Sequence, residues 1–264
     1  MGNRKHTHTY GLQLNYDKCE LLAINCNPRP RVSGGRRIPS VQETTYLGCR
    51  LNEHAAAKQE LDSRLRACVV KWKRLGTLWK HTRCPKGHNI RLYNAVIHLK
   101  LLYGLESLHL TPSQARRMDT FRLREYRQIM KITTTYANRD NTNEFVYAQA
   151  KEAAASGSKD PEKASLAARP ISTIHAEART QFLGHLLRMG AEDPLRVCTF
   201  TGGCRPSSAD HQRVGRPRQH WTEESCKLAW PFAQQMWDME AQPLNLNTGQ
   251  HQRDLLDAAT MHAF

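Results

Sequence analysis

Between Leu61 and Ile132 the chain carries sixteen lysines and arginines against four acids, a surplus of twelve positive charges. The chemistry such residues do is to hold anions. A compact bundle with that imbalance repels itself unless a polyanion shares the charge, and a merely solvating surface offsets its cations with Glu and Asp. The residues expected to contact phosphates are Lys71, Lys73, Arg74, Lys80, Arg116, Arg117, Arg124 and Arg127, with Arg216 and Arg218 adding to them. Two groups have the density of metal ligands: His81-x2-Cys84-x3-His88, and Cys198-x5-Cys204-x6-His211 with Cys226 beyond. Neither has the paired short spacings of a zinc module, so both are read as loop residues and no metal ligand is assigned. Phosphate-cradle and nucleophile chemistry have no carrier here. No Gly-rich loop ends in Lys-Ser or Lys-Thr, and no Gly-x-Ser-x-Gly elbow occurs.

The elements that must position these cations are helices. Leu61, Leu65, Cys68, Trp72, Leu75 and Trp79 fall at spacings of four and three, one stripe of a helix, with the basic residues on other stripes. A second segment, Gly87 to Leu110, is apolar round much of its circumference and is expected at the buried centre. A third begins at Thr111-Pro112, a cap followed by a proline suited to the first helical position. It buries Met118, Phe121, Ile129 and Ile132, with Arg116, Arg117, Arg124 and Arg127 outward. Ahead of them, Lys18–Ile24 and the run Thr45–Leu51 read as strands forming a small antiparallel pair. Behind them, 136–170 is polar and Ala/Ser/Gly-containing and reads as a linker, in which 144–155 allows a short helix. Residues 172–189 and 218–239 are helical, the latter kinked or divided by Pro231, and one more short helix follows from His251. Gly215-Arg216-Pro217 shares the core of the minor-groove A·T hook. Val214 stands where the first groove-reading arginine belongs, so phosphate contact at a helix start is expected instead. The fold expected is mainly α: a helical bundle over 53–135, a small antiparallel β remnant in 1–52, and a second, basic helical region over 171–264.

Composition bounds the class. A net charge of +15 and a pI near 9.7 point to nucleic acid as partner. No apolar run has transmembrane length, and the first residues hold no signal-peptide core, so the expectation is a soluble, intracellular chain with no membrane partner; a nuclear location is compatible with it. Eight scattered cysteines read as free thiols.

Several short runs, in order, carry a resemblance. Gly11-Leu12-Gln13-Leu14-Asn15-Tyr16-Asp17-Lys18, Tyr46-Leu47-Gly48, Leu102-Tyr103-Gly104 with Glu106, Gln128–Ile132, Phe182–Met189 and Gly215–Trp221 are together similar to the later part of non-LTR (LINE-type) retrotransposon reverse transcriptases. The resemblance covers about three quarters of the chain. It implies a primer-grip-like strand at Tyr46, Leu47 and Gly48, a thumb over the helices that follow, and a basic region beyond. It also implies that the catalytic aspartates of the palm precede the element at Gly11. That reaction needs carboxylates holding two Mg2+ ions, and no Asp-Asp pair occurs. The expectation is therefore a C-terminal fragment that needs no cofactor itself, binds an RNA/DNA duplex through sequence-independent phosphate contacts, and does not polymerise alone. Two further readings stay open: a subunit completed into an active reverse transcriptase by a separate palm chain, or a relic without function.

Overall fold

The computed structural model describes residues 15–23, 26, 28–31, 35–46, 48–52, 57–76, 78, 84–156, 161–201, 205–206 and 221–264. The chain is mainly helical, with a few small strands. It divides into two compact units, 1–62 and 63–264.

In the first unit, Asn15 accepts the Asp17 N–H at 3.1 Å and so caps a 3-10 turn, Tyr16–Lys18. The strand expected from Lys18 shrinks to β1, Leu21–Leu22, paired parallel with β2, Ser40–Val41. The antiparallel pair lies elsewhere. Strands β3, Glu43–Tyr46, and β4, Cys49–Asn52, form a hairpin in which Tyr46 faces Cys49. The run Thr45–Leu51 is therefore two strands and a turn. Gly48 has φ +81°, a conformation glycine takes without a Cβ penalty, and a two-residue turn needs such a position. Polar contacts hold this unit: Thr44 Oγ1 donates to Glu20 at 2.6 Å, and the Arg50 N–H donates to Glu60 at 2.8 Å.

The second unit is built from helices. Helix α1, Ala57–Arg74, crosses the boundary between the units. Next come α2, Lys86–Tyr93, a wide π turn, Asn94–His98, and α3, Leu99–Leu102. A 3-10 turn, Leu105–Ser107, leads to α4, Pro112–Met130. The expected second segment is thus a continuous helical stretch over 86–102, widened at 94–98 and broken at Tyr103–Gly104, and its apolar character is only partly inward. Ile90, Tyr93, Ile97, Leu101 and Leu105 are buried, while Leu99 and Tyr103 are exposed. Those buried positions are four apart after Tyr93. A straight α-helix would carry such a series steadily round its circumference; the wider turn at 94–98 holds it on one side. Helix α1 runs antiparallel to this segment: Arg64 reaches Lys100 O at 3.3 Å, Cys68 reaches Ile97 O at 3.7 Å, and Trp72 meets Tyr93 edge-on.

The stretch expected as a linker contains two helices, α5, Asn143–Ala155, and α6, Pro161–Ala167. Thr142 caps α5 by accepting the Phe145 N–H. Alanines account for the difference. Gly87 lies so close to Ala153 that a Cβ on it would collide with the Ala153 carbonyl. Small residues let α2 and α5 cross at backbone distance, burying Ala150 and Ala154 alongside Val146 and Tyr147.

Beyond them, α7, Ile171–Arg188, packs against α4 and against α9, Trp221–Met236, and α10, Gly249–Thr260. A short α8, Pro194–Thr199, and a two-residue strand pair, Phe200–Thr201 with Arg205–Pro206, lie between. The buried positions of α7 are Ile171, His175, Arg179, Thr180, Leu183, Gly184, Leu186 and Leu187. Of the face expected to be buried, only Leu186 belongs to them; Ile174, Ala178, Phe182 and Met189 are half-buried. Pro231 does not divide α9. Its missing N–H would have met the Lys227 carbonyl; both residues are exposed, so water can serve that carbonyl. Phe232 and Trp237, expected in the packing, are also exposed.

Candidate nucleic-acid interface

Helix α4 carries the clearest segregation of charge. Thr111 accepts the Gln114 N–H, and the Gln114 side chain accepts the Thr111 N–H at 2.7 Å, a reciprocal capping box with Pro112 as first helical residue. Met118, Phe121, Tyr126 and Ile129 face inward. At about 100° per residue, Arg116, Arg117, Arg124, Arg127 and the C-cap residue Lys131 fall within an arc of about 100°, opposite that apolar face. The helix's two acids are turned inward. Asp119 accepts the Ser172 N–H at 2.9 Å and its hydroxyl at 2.6 Å, at the N-terminus of α7 where negative charge is favoured. Glu125 is 0 % exposed, and burial raises its pKa from the ordinary 4.5, against the pull of Arg124.

Two arginines of that arc serve the chain itself. Arg124 donates to Glu125 Oε1 at 2.6 Å and lies over the Phe121 ring. Arg127, expected outward, braces the loop after the helix: it donates to Thr133 O at 2.8 Å, Asn141 O at 2.9 Å and the Asn143 side chain at 3.2 Å. Arg116, Arg117 and Lys131 are exposed.

Arg122, counted in the cationic surplus, is a core residue at 0 % exposure. Its guanidinium donates to Tyr126 Oη at 2.6 Å and to Leu166 O, and the Tyr126 hydroxyl donates to Asn94 Oδ1 at 3.0 Å. Tyr93, Tyr126 and Tyr147 stack edge-on around it. The signal was in the spacing: Met118, Arg122, Glu125 and Ile129 are separated by four, three and four, which places the arginine on the apolar stripe.

A pattern connects several arginines, of which Arg64, Arg91 and Arg122 belong to the surplus counted between Leu61 and Ile132. Arg64 donates to Lys100 O near the end of α3, and Arg91 donates to Ala154 O and Ser156 O at the end of α5. Arg122 meets Leu166 O in the last turn of α6, Arg188 meets Ala259 O in the last turn of α10, and Arg196 meets Leu187 O at the end of α7. The last carbonyls of a helix have no partner within it and carry the negative end of its dipole. Part of the cationic surplus is therefore matched by helix C-termini, not by carboxylates or by an external polyanion.

On α1, Arg66, Lys71, Lys73 and Arg74 are exposed, but they spread over an arc of about 160° at 100° per residue, with exposed Val70 among them. Tyr46 is 64 % exposed beside the Gly48 turn. Lys80, Arg216, Arg218 and Leu47 lie outside the described residues, as do His81, Cys204 and His211. Cys226 is buried in an apolar cluster with Leu183, Leu187 and Trp230. Among the described residues no helix is long and apolar enough to cross a membrane. Comparison with protein-family models, with curated proteins and with solved structures finds no match to this chain.

Proposed function

We propose that this chain binds nucleic acid as the thumb-like, C-terminal part of a non-LTR retroelement reverse transcriptase. It holds a duplex through phosphates and does not itself carry the polymerase carboxylates. The observation that supports the reading best is the sorting of charge on α4, with Asp119 and Glu125 turned inside and Arg116, Arg117 and Lys131 left on the outer arc. Lys71, Lys73 and Arg74 of α1 add to them. Arg124 and Arg127, with internal partners, contribute less.

Such contacts fix position on the backbone without reading bases. If these six cations each neutralise one phosphate, binding to a mixed-sequence duplex should weaken with salt at a log-log slope of roughly −4 to −5, from about 0.7–0.9 per phosphate. Arg116→Glu with Arg117→Glu should flatten the slope by about two units and weaken binding for every sequence alike. Fluorescence anisotropy across a salt series reads both; a slope near zero in the unaltered protein removes the reading.

A further inference from the structure

Tyr136 is 101 % exposed, on a loop that is otherwise firmly tied. The neck of the loop is closed by Arg127, whose guanidinium binds Thr133 O and Asn141 O from beneath. Buried Asn141 adds a second clasp, donating to Thr133 O at 3.1 Å and Thr133 Oγ1 at 2.8 Å. Inside the neck, the N–H groups of Ala137 and Asn138 both return to Thr134 O, at 3.0 and 3.1 Å, and Asn138 Oδ1 accepts the Asp140 N–H at 3.0 Å. Tyr136 stands in the middle of that turn. A tyrosine normally buries its ring; here the backbone is fixed and the ring is held out in water.

Its surroundings say what the ring suits. The outer arc of α4 ends at Lys131, whose left-handed backbone (φ 58°) turns the chain directly into this loop. Lys131 and Arg139 on either side are exposed cations. An extended track of positive charge that runs into a fixed, fully exposed aromatic ring is the combination that holds unpaired nucleotides: cations follow the phosphates, and the ring takes a base face. A blunt duplex offers no free base face to a side chain of this kind except at its end.

We propose that Tyr136 is a stacking platform for an unpaired base at a single-strand/duplex junction whose phosphates follow α4. This rests on the nucleic-acid reading above and adds to it a preference for junctions. The test compares a blunt duplex with the same duplex bearing a three-nucleotide overhang that contains 2-aminopurine, using the full chain. The protein should bind the overhang substrate more tightly, with a change in 2-aminopurine fluorescence. Tyr136→Ala should lose that preference by ~5- to 150-fold, the range alanine substitution gives for one stacked base, while Tyr136→Trp keeps it and blunt-duplex affinity and salt slope stay unchanged. An exposed side chain makes Tyr136→Ala a variant that folds, and an unchanged Tm verifies this. If the alanine variant keeps the overhang preference, or the unaltered protein has none, the platform is refuted while phosphate binding stands. If neither substrate binds with salt dependence, both readings fall. If Tyr136→Ala instead abolishes self-association in sedimentation, the ring serves a protein contact and the proposal is refuted.

Discussion

Two regions of the helical unit are packed by different means. Around α2, α4 and α5 the interior is aromatic and polar: Tyr93, Tyr126 and Tyr147 surround a buried Arg122, with Glu125 and His98 also inside. Around α7, α9 and α10 an apolar cluster, with Leu183, Leu187, Ala229, Leu255 and Ala258 closing on Trp230, forms most of the interior, and buried Arg179, Ser225 and Asp254 flank it. Among the described residues, Arg122 Nη1 and Nε, Glu125 Oε2, His98 Nδ1 and the Tyr93 and Tyr147 hydroxyls have no hydrogen-bond partner in the first interior. In the second region the indole N–H groups of Trp221 and Trp230 donate to Glu106 O and Gln242 O, each at 2.8 Å, and the unpartnered buried atoms among the described residues are fewer, Arg179 Nε and Asp254 Oδ2. Dry aliphatic packing yields more stability per residue, because burying polar groups without partners opposes folding. The polar interior supplies something else. Arg122 ties α4 to the end of α6, and Tyr126 ties it to the π turn, so the helix that carries the outward cations is held at fixed points.

That contrast can be broken from either side. The largest effect is expected in the aliphatic cluster: Trp230→Ala should cost about 3–5 kcal/mol, read by chemical denaturation, and should leave the blunt-duplex salt slope of the surviving folded protein intact. Acid is expected to act on both regions, through one buried histidine in each. Burial, with help from Arg122, lowers the pKa of His98 from 6.5 to about 3. Burial likewise lowers that of His175 to about 4, where its ring donates to Leu105 O at 2.9 Å. A depressed folded-state pKa means that stability is complete above pH 6.5 and declines as pH falls towards the folded value, by up to about 1.4 kcal/mol for each pH unit crossed. Tm should therefore fall from pH 6.5 to 4, and less steeply in His98→Asn. Glu125 works in the opposite sense. Its raised folded-state pKa favours the folded protein in acid, an advantage lost as pH rises through that value, so Glu125→Gln should steepen the acid decline. A smaller effect is expected from Tyr126→Phe, which strands Asn94 Oδ1 and leaves Arg122 Nη2 with Leu166 O alone. A loss of about 1–3 kcal/mol, with blunt-duplex affinity reduced as α4 loosens, would support the positioning role; an unchanged affinity would reduce the polar interior to packing.

Local chemistry was the most legible part of this chain. Thr111-Pro112 marked the start of α4 correctly, because a cap is decided by the few residues around it. The outward arc of α4 followed from the same periodicity. Misreadings arose where one residue type serves two purposes. The alanines of 143–155 allowed a short helix within an expected linker, as found, but gave no sign that their small size lets α5 cross α2 at Gly87. Arginine signals a polyanion by composition, but a count cannot separate Arg116, which faces solvent, from Arg91, which satisfies the end of α5. Only the full trace places that helix end beside it. The bracing of the Tyr136 loop by Arg127 and Asn141 was equally invisible, because its partners come together only after α4 and α5 have docked.

The wide turn at Asn94–His98 has a consequence for how this segment tolerates change in length. A turn of that kind stores one more residue than regular helix needs for the same advance of its neighbours. Removing one residue there would let the segment rewind into an ordinary helix while Leu101 and Leu105 continue to point inward. The same deletion within α4 would swing every residue after it by about 100°, carrying Arg124 and Arg127 towards the interior. A single deletion between Asn94 and His98 is thus one the bundle can absorb, at the expense of the Asn94 hydrogen bond to Tyr126.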